Sequence, residues 1–253
     1  MIVGSIKEDL SFEKRVSITP ETAKNIINLG LKVIIENNYA THIGILDKEY
    51  ETVGVEIKKS SKEVFNNCNL LAKVNCPSDE EISNLKNQTI LIGMLNPSKN
   101  QNKINNILKK NIDIFSLELL PRISRAQSMD VLSSQSNLAG YRSVVDSVYE
   151  FEKAIPMMMT AAGTVPAAKV LVIGAGVAGL QAIATAKRLG AIVSATDVRA
   201  ASKEQVESLG GKFLTVEQSE NLETDGGYAK EVSENFKKKQ AEMIKDALKK
   251  NDI

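Results

Sequence analysis

The segment KVLVIGAGVAGLQAIATAKRLG, residues 169–190, constrains this chain more than any other stretch. A β-branched apolar run gives way to three glycines, Gly174, Gly176 and Gly179, and then to a helical pattern that stops at Gly190. In this spacing the first glycine permits a tight turn, the second lets backbone approach a pyrophosphate, and the third lets helix and strand pack closely. The helix N-terminus then faces the anion. Glycine triplets are common by chance, so the weight lies in the strand before this one and the helix after it. With Val177 and Ala178 between the last two glycines, the expected phosphate cradle is Gly174, Gly176, Val177, Ala178 and Gly179. Asp197 ends the next strand, about 20 residues beyond the glycines, where a carboxylate accepts from ribose hydroxyls and repels a 2′-phosphate. NAD(H) is therefore expected in preference to NADP(H). Val198 and Arg199 follow in the same turn, and the Arg199 cation softens that preference. The competing reading, glycines packing in a membrane dimer, fails on length. Residues 170–186 carry no charge but fall short of the ~20 apolar residues a spanning helix needs.

The remainder repeats the strand–helix theme. IVGSIK, LKVIIE, NLLAKV, TILIGML and DIFSLELL read as strands, interleaved with helical segments such as TPETAKNIINLG, which carries a Thr19 cap and Pro20 at its first position. Such alternation implies parallel sheets covered by helices. The expected fold is α/β, with two Rossmann-like parallel-sheet domains over residues 1–133 and 134–253. Residues 121–165 form the bridge: a polar loop, a helical pattern over 141–153, then a methionine-rich turn. A polar loop over 217–228 precedes a lysine-rich helix over 229–250, with Val232, Phe236, Met243 and Ala247 on one side. Only the first mononucleotide half of the second domain is visible. It reads as cut short, because residues 251–253 stand where another strand begins.

Composition narrows the function classes. Lys plus Arg number 32 against 31 for Asp plus Glu, a net charge of +1, which gives nucleic acid no electrostatic hold. Two cysteines and one histidine, His42, assemble neither a disulfide framework nor a zinc cage, so no metal is expected. The start MIVGSIKEDL lacks the features of a signal peptide, which points to the cytoplasm.

The bridge holds Arg122, Arg125, Gln127, Asp130 and Ser133 in a polar stretch that, by composition alone, is an ordinary interdomain loop. However, PRISRAQSMDVLSSQSNLAGYR, together with PMMMTAAGTVPAAKVLVIGAGVAGLQAIATAKRLGA, SATDVR, KEQVESLGGKF and GGYAKE, closely resembles the NAD(H)-binding component of proton-translocating NAD(P) transhydrogenases, the first domain of their alpha subunit. The resemblance implies that Arg122, Gln127, Asp130 and Ser133 hold the nicotinamide end, and that Tyr228 matches a tyrosine closing over bound nucleotide. It further implies hydride exchange with NADP(H) on a partner domain, coupled to proton movement through a membrane-spanning part. A homodimer, peripheral on the inner face of the cytoplasmic membrane, is the implied assembly.

The front half, through Lys7-Glu8, Glu13-Lys14-Arg15-Val16 and Thr19-Pro20, resembles the same family and the related alanine dehydrogenases. Those enzymes carry an acid–base histidine after the strand matching TILIGML, where this chain has Asn96. An amide has no usable pKa for proton transfer, whereas hydride exchange between two nicotinamides moves no proton at the reacting centre. An amino-acid dehydrogenase and a non-catalytic nucleotide-binding fragment are the alternatives.

Overall fold

The computed structural model describes residues 1–216 and 233–253, so the expected sites at Tyr228 and Val232 lie outside the described residues. The chain divides into two compact units, Met1–Asp130 and Val131–Ile253.

The first unit runs β1 (Ile2–Ser5), α1 (Pro20–Asn28), β2 (Lys32–Glu36), α2 (Asp47–Thr52), β3 (Glu56–Lys58), α3 (Ser61–Asn67), β4 (Leu70–Asn75), α4 (Asp79–Asn84), β5 (Ile90–Met94), α5 (Gln101–Leu108) and β6 (Asp113–Ser116). Its strands form a six-stranded sheet in the order β3-β2-β1-β4-β5-β6, parallel at every pairing. The sequence shows why. In β2, Val33 and Ile35 join one core cluster and Ile34 the other, so the strand is buried on both faces, as central parallel strands are. Local caps fix the helices: Thr19 Oγ1 accepts from Thr22 N at 3.2 Å, and Ser78 and Glu81 cap α4 reciprocally. The segment over 47–67, with α2, β3 and α3, shows elements too short for their periodicity to announce.

The second unit contains α6 (Val131–Phe151), β7 (Met158–Thr160), β8 (Gly163–Val165), β9 (Lys169–Ile173), α7 (Val177–Arg188), β10 (Ile192–Thr196), α8 (Ser202–Ser208), β11 (Lys212–Phe213) and α9 (Glu234–Leu248). Among the described residues its main sheet is parallel in the order β11-β10-β9. On the free side of β9, Leu171 N donates to Ile253 O at 2.8 Å and Ile253 N to Lys169 O at 3.1 Å. That is the parallel bonding pattern, so Ile253 takes the place of a neighbouring strand and the order reads 3-2-1-4. Among the described residues no helix is long and apolar enough to cross a membrane.

Two local expectations change. The helix expected over 141–153 starts ten residues earlier, at Val131, because α6 packs on α7 and tertiary contact overrides the weak propensity of the polar run SSQSN. The methionine-rich turn is a small antiparallel hairpin of β7 and β8.

Candidate functional site

The glycine turn is built almost wholly from backbone. After β9, Gly174 takes a positive φ of 95°, and its N–H donates to Thr196 O at 2.8 Å, tying the turn to the end of β10. Gly176 caps α7 without a side chain. A Cβ on Gly179 would stand 1.8 Å from the Gly174 carbonyl oxygen, so only hydrogen fits where helix and turn meet. The first N–H groups of any α-helix lack intrahelical partners and carry the positive end of its dipole. At Gly176, Val177 and Ala178 these groups lie beside an open face, where the nearest atom to a Cβ on Gly176 would be Arg199 Nη2 at 3.9 Å. A cradle with glycine at each close approach and helix N–H groups at its mouth fits a dinucleotide diphosphate.

One residue that supports this turn escaped the sequence reading. A Cβ on Gly140 of α6 would stand 2.0 Å from Ala178 O, and Asn137 Nδ2 donates to Gln181 Oε1 at 3.1 Å. Helix α6 is thus pressed against the first turn of α7. The available signal was a glycine in mid-helix, which costs about 1 kcal/mol relative to alanine unless packing demands it.

Asp197 follows β10 and is nearly buried, its side chain 7% exposed. Its Oδ2 accepts from Ala175 N at 2.7 Å and Arg199 Nη2 at 3.0 Å, and its Oδ1 from Arg199 N at 2.8 Å and Arg199 Nε at 2.9 Å. Burial alone would raise its pKa, but the hydrogen bonds from Arg199 and Ala175 outweigh burial and hold the carboxyl below the ordinary carboxylate value. The sequence placed a carboxylate here; it did not show that Arg199 grips it. Val198 between them is half-buried.

In the bridge, Arg122, Arg125 and Gln127 are exposed, residues Ser124–Met129 form a 3₁₀ helix anchored by buried Ala126, and Asp130 closes it by donating its N–H to Gln127 O at 3.3 Å. These side chains share one stretch of the first unit. Ser133 does not lie in that loop: it stands in the first turn of α6, in the second unit.

The first unit has a crevice of its own. Its strand order reverses between β1 and β4, the place where open α/β sheets hold ligands at the carboxyl ends of their strands. Charged side chains fill it. Lys73, 3% exposed, lies 2.8 Å from Glu81 Oε1 and 3.6 Å from Glu8 Oε2, while Glu8 Oε1 accepts from Val74 N at 2.7 Å. Beside them Glu13 accepts from Arg15 Nε at 2.9 Å and Asn75 Nδ2 at 3.0 Å. Burial pushes the Glu8 carboxyl up despite Lys73, whereas the Arg15 hydrogen bond, against burial, pulls Glu13 down to about 2. Asn96, at the end of β5, is an exposed turn residue with φ 45°, a conformation asparagine tolerates well. His42 is exposed, its Nε2 donating to Lys14 O at 2.8 Å.

Two family models match in tandem: alanine dehydrogenase/PNT, N-terminal domain, over residues 4–139, and alanine dehydrogenase/PNT, C-terminal domain, over residues 143–253. The chain belongs to the alanine dehydrogenase/PNT family. Within this family it is 51% identical over 260 residues to the first of the polypeptides that make up the NAD(P) transhydrogenase alpha subunit of Rhodospirillum rubrum, which aligns with all of this chain and 68% of the relative. The structure of transhydrogenase from Sinorhizobium meliloti superposes with a TM-score of 0.82 at 49% identity, over 85% of this chain and 64% of that one. An L-alanine dehydrogenase structure shares the fold at 22% identity with a TM-score of 0.73, over 84% of this chain and 60% of that one. The chain spans about two thirds of the length of these relatives.

Proposed function

We propose that this chain is the NAD(H)-binding part of a proton-translocating NAD(P)⁺ transhydrogenase. The turn at Gly174–Gly179 carries this reading, since it offers backbone N–H groups and no side chain to an anion, in a chain similar along its whole length to a transhydrogenase alpha subunit. In this reading Gly174, Gly176, Val177, Ala178 and Gly179 hold the diphosphate, and Asp197, Val198 and Arg199 the adenosine end. Arg122, Gln127, Asp130 and Ser133 hold the nicotinamide end, and Tyr228 covers the bound nucleotide. Bound nicotinamide supplies the hydride chemistry; the chain's residues bind it, orient it and exclude water. NADP(H) belongs to a partner domain and proton movement to a membrane-spanning part, which places this chain, as a homodimer, on the inner face of the cytoplasmic membrane.

Fluorescence titration tests the cofactor choice. NADH should bind more tightly than NADPH, and Asp197→Ala should narrow the gap; equal affinities for the unaltered protein would sink the assignment. Substituting Gln127 or Asp130 should lower the hydride-transfer rate constant far more than NADH affinity, because orientation acts near the transition state. Reduction of an NADP⁺ analogue should require the partner NADP(H)-binding domain. Oxidation of NADH with pyruvate and ammonia would instead favour the amino-acid dehydrogenase reading, against which Asn96 speaks.

A further inference from the structure

Asp197 presents a conflict within the proposed site. A carboxylate has about four acceptor positions, and the structure directs four N–H groups at this one, two from backbone and two from the Arg199 guanidinium. A ribose diol needs two of those positions. The bonds from Ala175 N and Arg199 N belong to the turn itself, and releasing them would undo the geometry that holds the glycine loop against β10. The guanidinium bonds are different. They come from a flexible side chain, 18% exposed, whose Nη2 lies over the open face of the turn beside Gly176. They are the two that can be surrendered at least cost to the fold.

We infer that Arg199 is a displaceable latch on Asp197: its two guanidinium N–H donors occupy the carboxylate positions that ribose hydroxyls take, and nucleotide binding exchanges them for O–H donors. The inference rests on the dinucleotide-binding reading above. It gives Arg199 two effects. The latch holds the carboxylate charged and oriented, but it lowers apparent affinity by the fraction of molecules in which it is closed. Once displaced, the guanidinium remains beside the ribose as a cation, which offsets the repulsion of Asp197 for a 2′-phosphate. Arg199 therefore weakens NADH binding and, relative to NADH, favours NADPH. A residue that simply grips the cofactor would strengthen both.

Calorimetric titration of the unaltered protein, Arg199→Ala and Arg199→Lys with NADH, NADPH and ADP-ribose separates these cases. ADP-ribose isolates the adenosine end, because it lacks nicotinamide. Arg199→Ala should bind NADH and ADP-ribose roughly three- to tenfold more tightly, the worth of one partly exposed ion pair, and NADPH more weakly. Arg199→Lys, charged but without the planar fork, should fall between. If Arg199→Ala does not fold, as judged by circular dichroism, Arg199→Lys must still tighten NADH. Unchanged or weaker NADH binding in the folded variants, with the unaltered protein binding normally, overturns the latch and leaves the dinucleotide reading standing. Failure of all three proteins to bind either NADH or ADP-ribose overturns the dinucleotide reading, and the latch with it.

Discussion

The two units offer the same topological opening and treat it in opposite ways. In the first, the crevice between β1 and β4 is filled by Glu8, Glu13, Arg15, Lys73 and Glu81, with a lysine buried between two carboxylates. In the second, the turn after β9 is lined by backbone and glycine, and the charged pair of Asp197 and Arg199 lies at its margin. Ion pairs buried in a crevice make it a structural joint, because each charge depends on its partners for solvation. A turn made of backbone donors satisfies itself internally and keeps its helix N–H groups for an anion. Strand order thus sets where a ligand can sit, and the side chains after the strands decide whether the place is spent on the fold.

The sharpest way to break the contrast is Lys73→Met, which leaves Glu8 and Glu81 buried without a cation. It should destabilise the first unit by about 3–5 kcal/mol in chemical denaturation; a loss below about 1 kcal/mol would mean that the crevice is not a joint. Gly179→Ala attacks the second unit instead. With Gly174 O only 1.8 Å from the new methyl, the turn must open, at a cost of about 1–3 kcal/mol. NADH affinity should fall at least tenfold, while Lys73→Met, wherever it remains folded, should leave that affinity unchanged.

Acid sharpens the comparison further. Glu13 is held at about 2 against an ordinary 4.5, so its contribution is fully present above pH 4.5 and is lost as pH falls toward 2. Since the Arg15 side chain is 44% exposed and screened by water, the contribution is about 1–2 kcal/mol, less than the shift alone would give. Glu13→Gln should cost that much at pH 7 and nothing near pH 2, as followed by urea denaturation across the range. Glu8 carries the opposite sign. Its raised pKa favours the fold below the ordinary value, and that help fades as pH rises through the folded one. Glu8→Gln keeps an acceptor for Val74 N, so stability at pH 7 should stay within about 1 kcal/mol of the unaltered protein. A larger loss would show that Lys73 needs both carboxylates.

Much of this was legible in the sequence because the relevant physics is local. Alternating apolar runs gave the parallel strands, Thr19-Pro20 and Ser78-x-x-Glu81 the helix starts, and glycines between a strand and a helix the turn. The start of α6 was not legible: Ser134, Gln135, Ser136 and Asn137 read as loop, and only contact with α7 makes them helix. Nor was Gly140, whose role depends on an oxygen 38 positions away.

The sequence by itself determined what kind of site this chain can hold, because strand, glycine turn and helix are neighbours along the chain and their spacing already encodes the geometry. Tertiary structure alone decided the state of the charges. Lys73 meets Glu8 across 65 positions, and Asp197 meets Ala175 across 22. Whether a carboxylate is open to a ligand or already held is a matter of a few ångströms between segments, and residue order does not fix such distances.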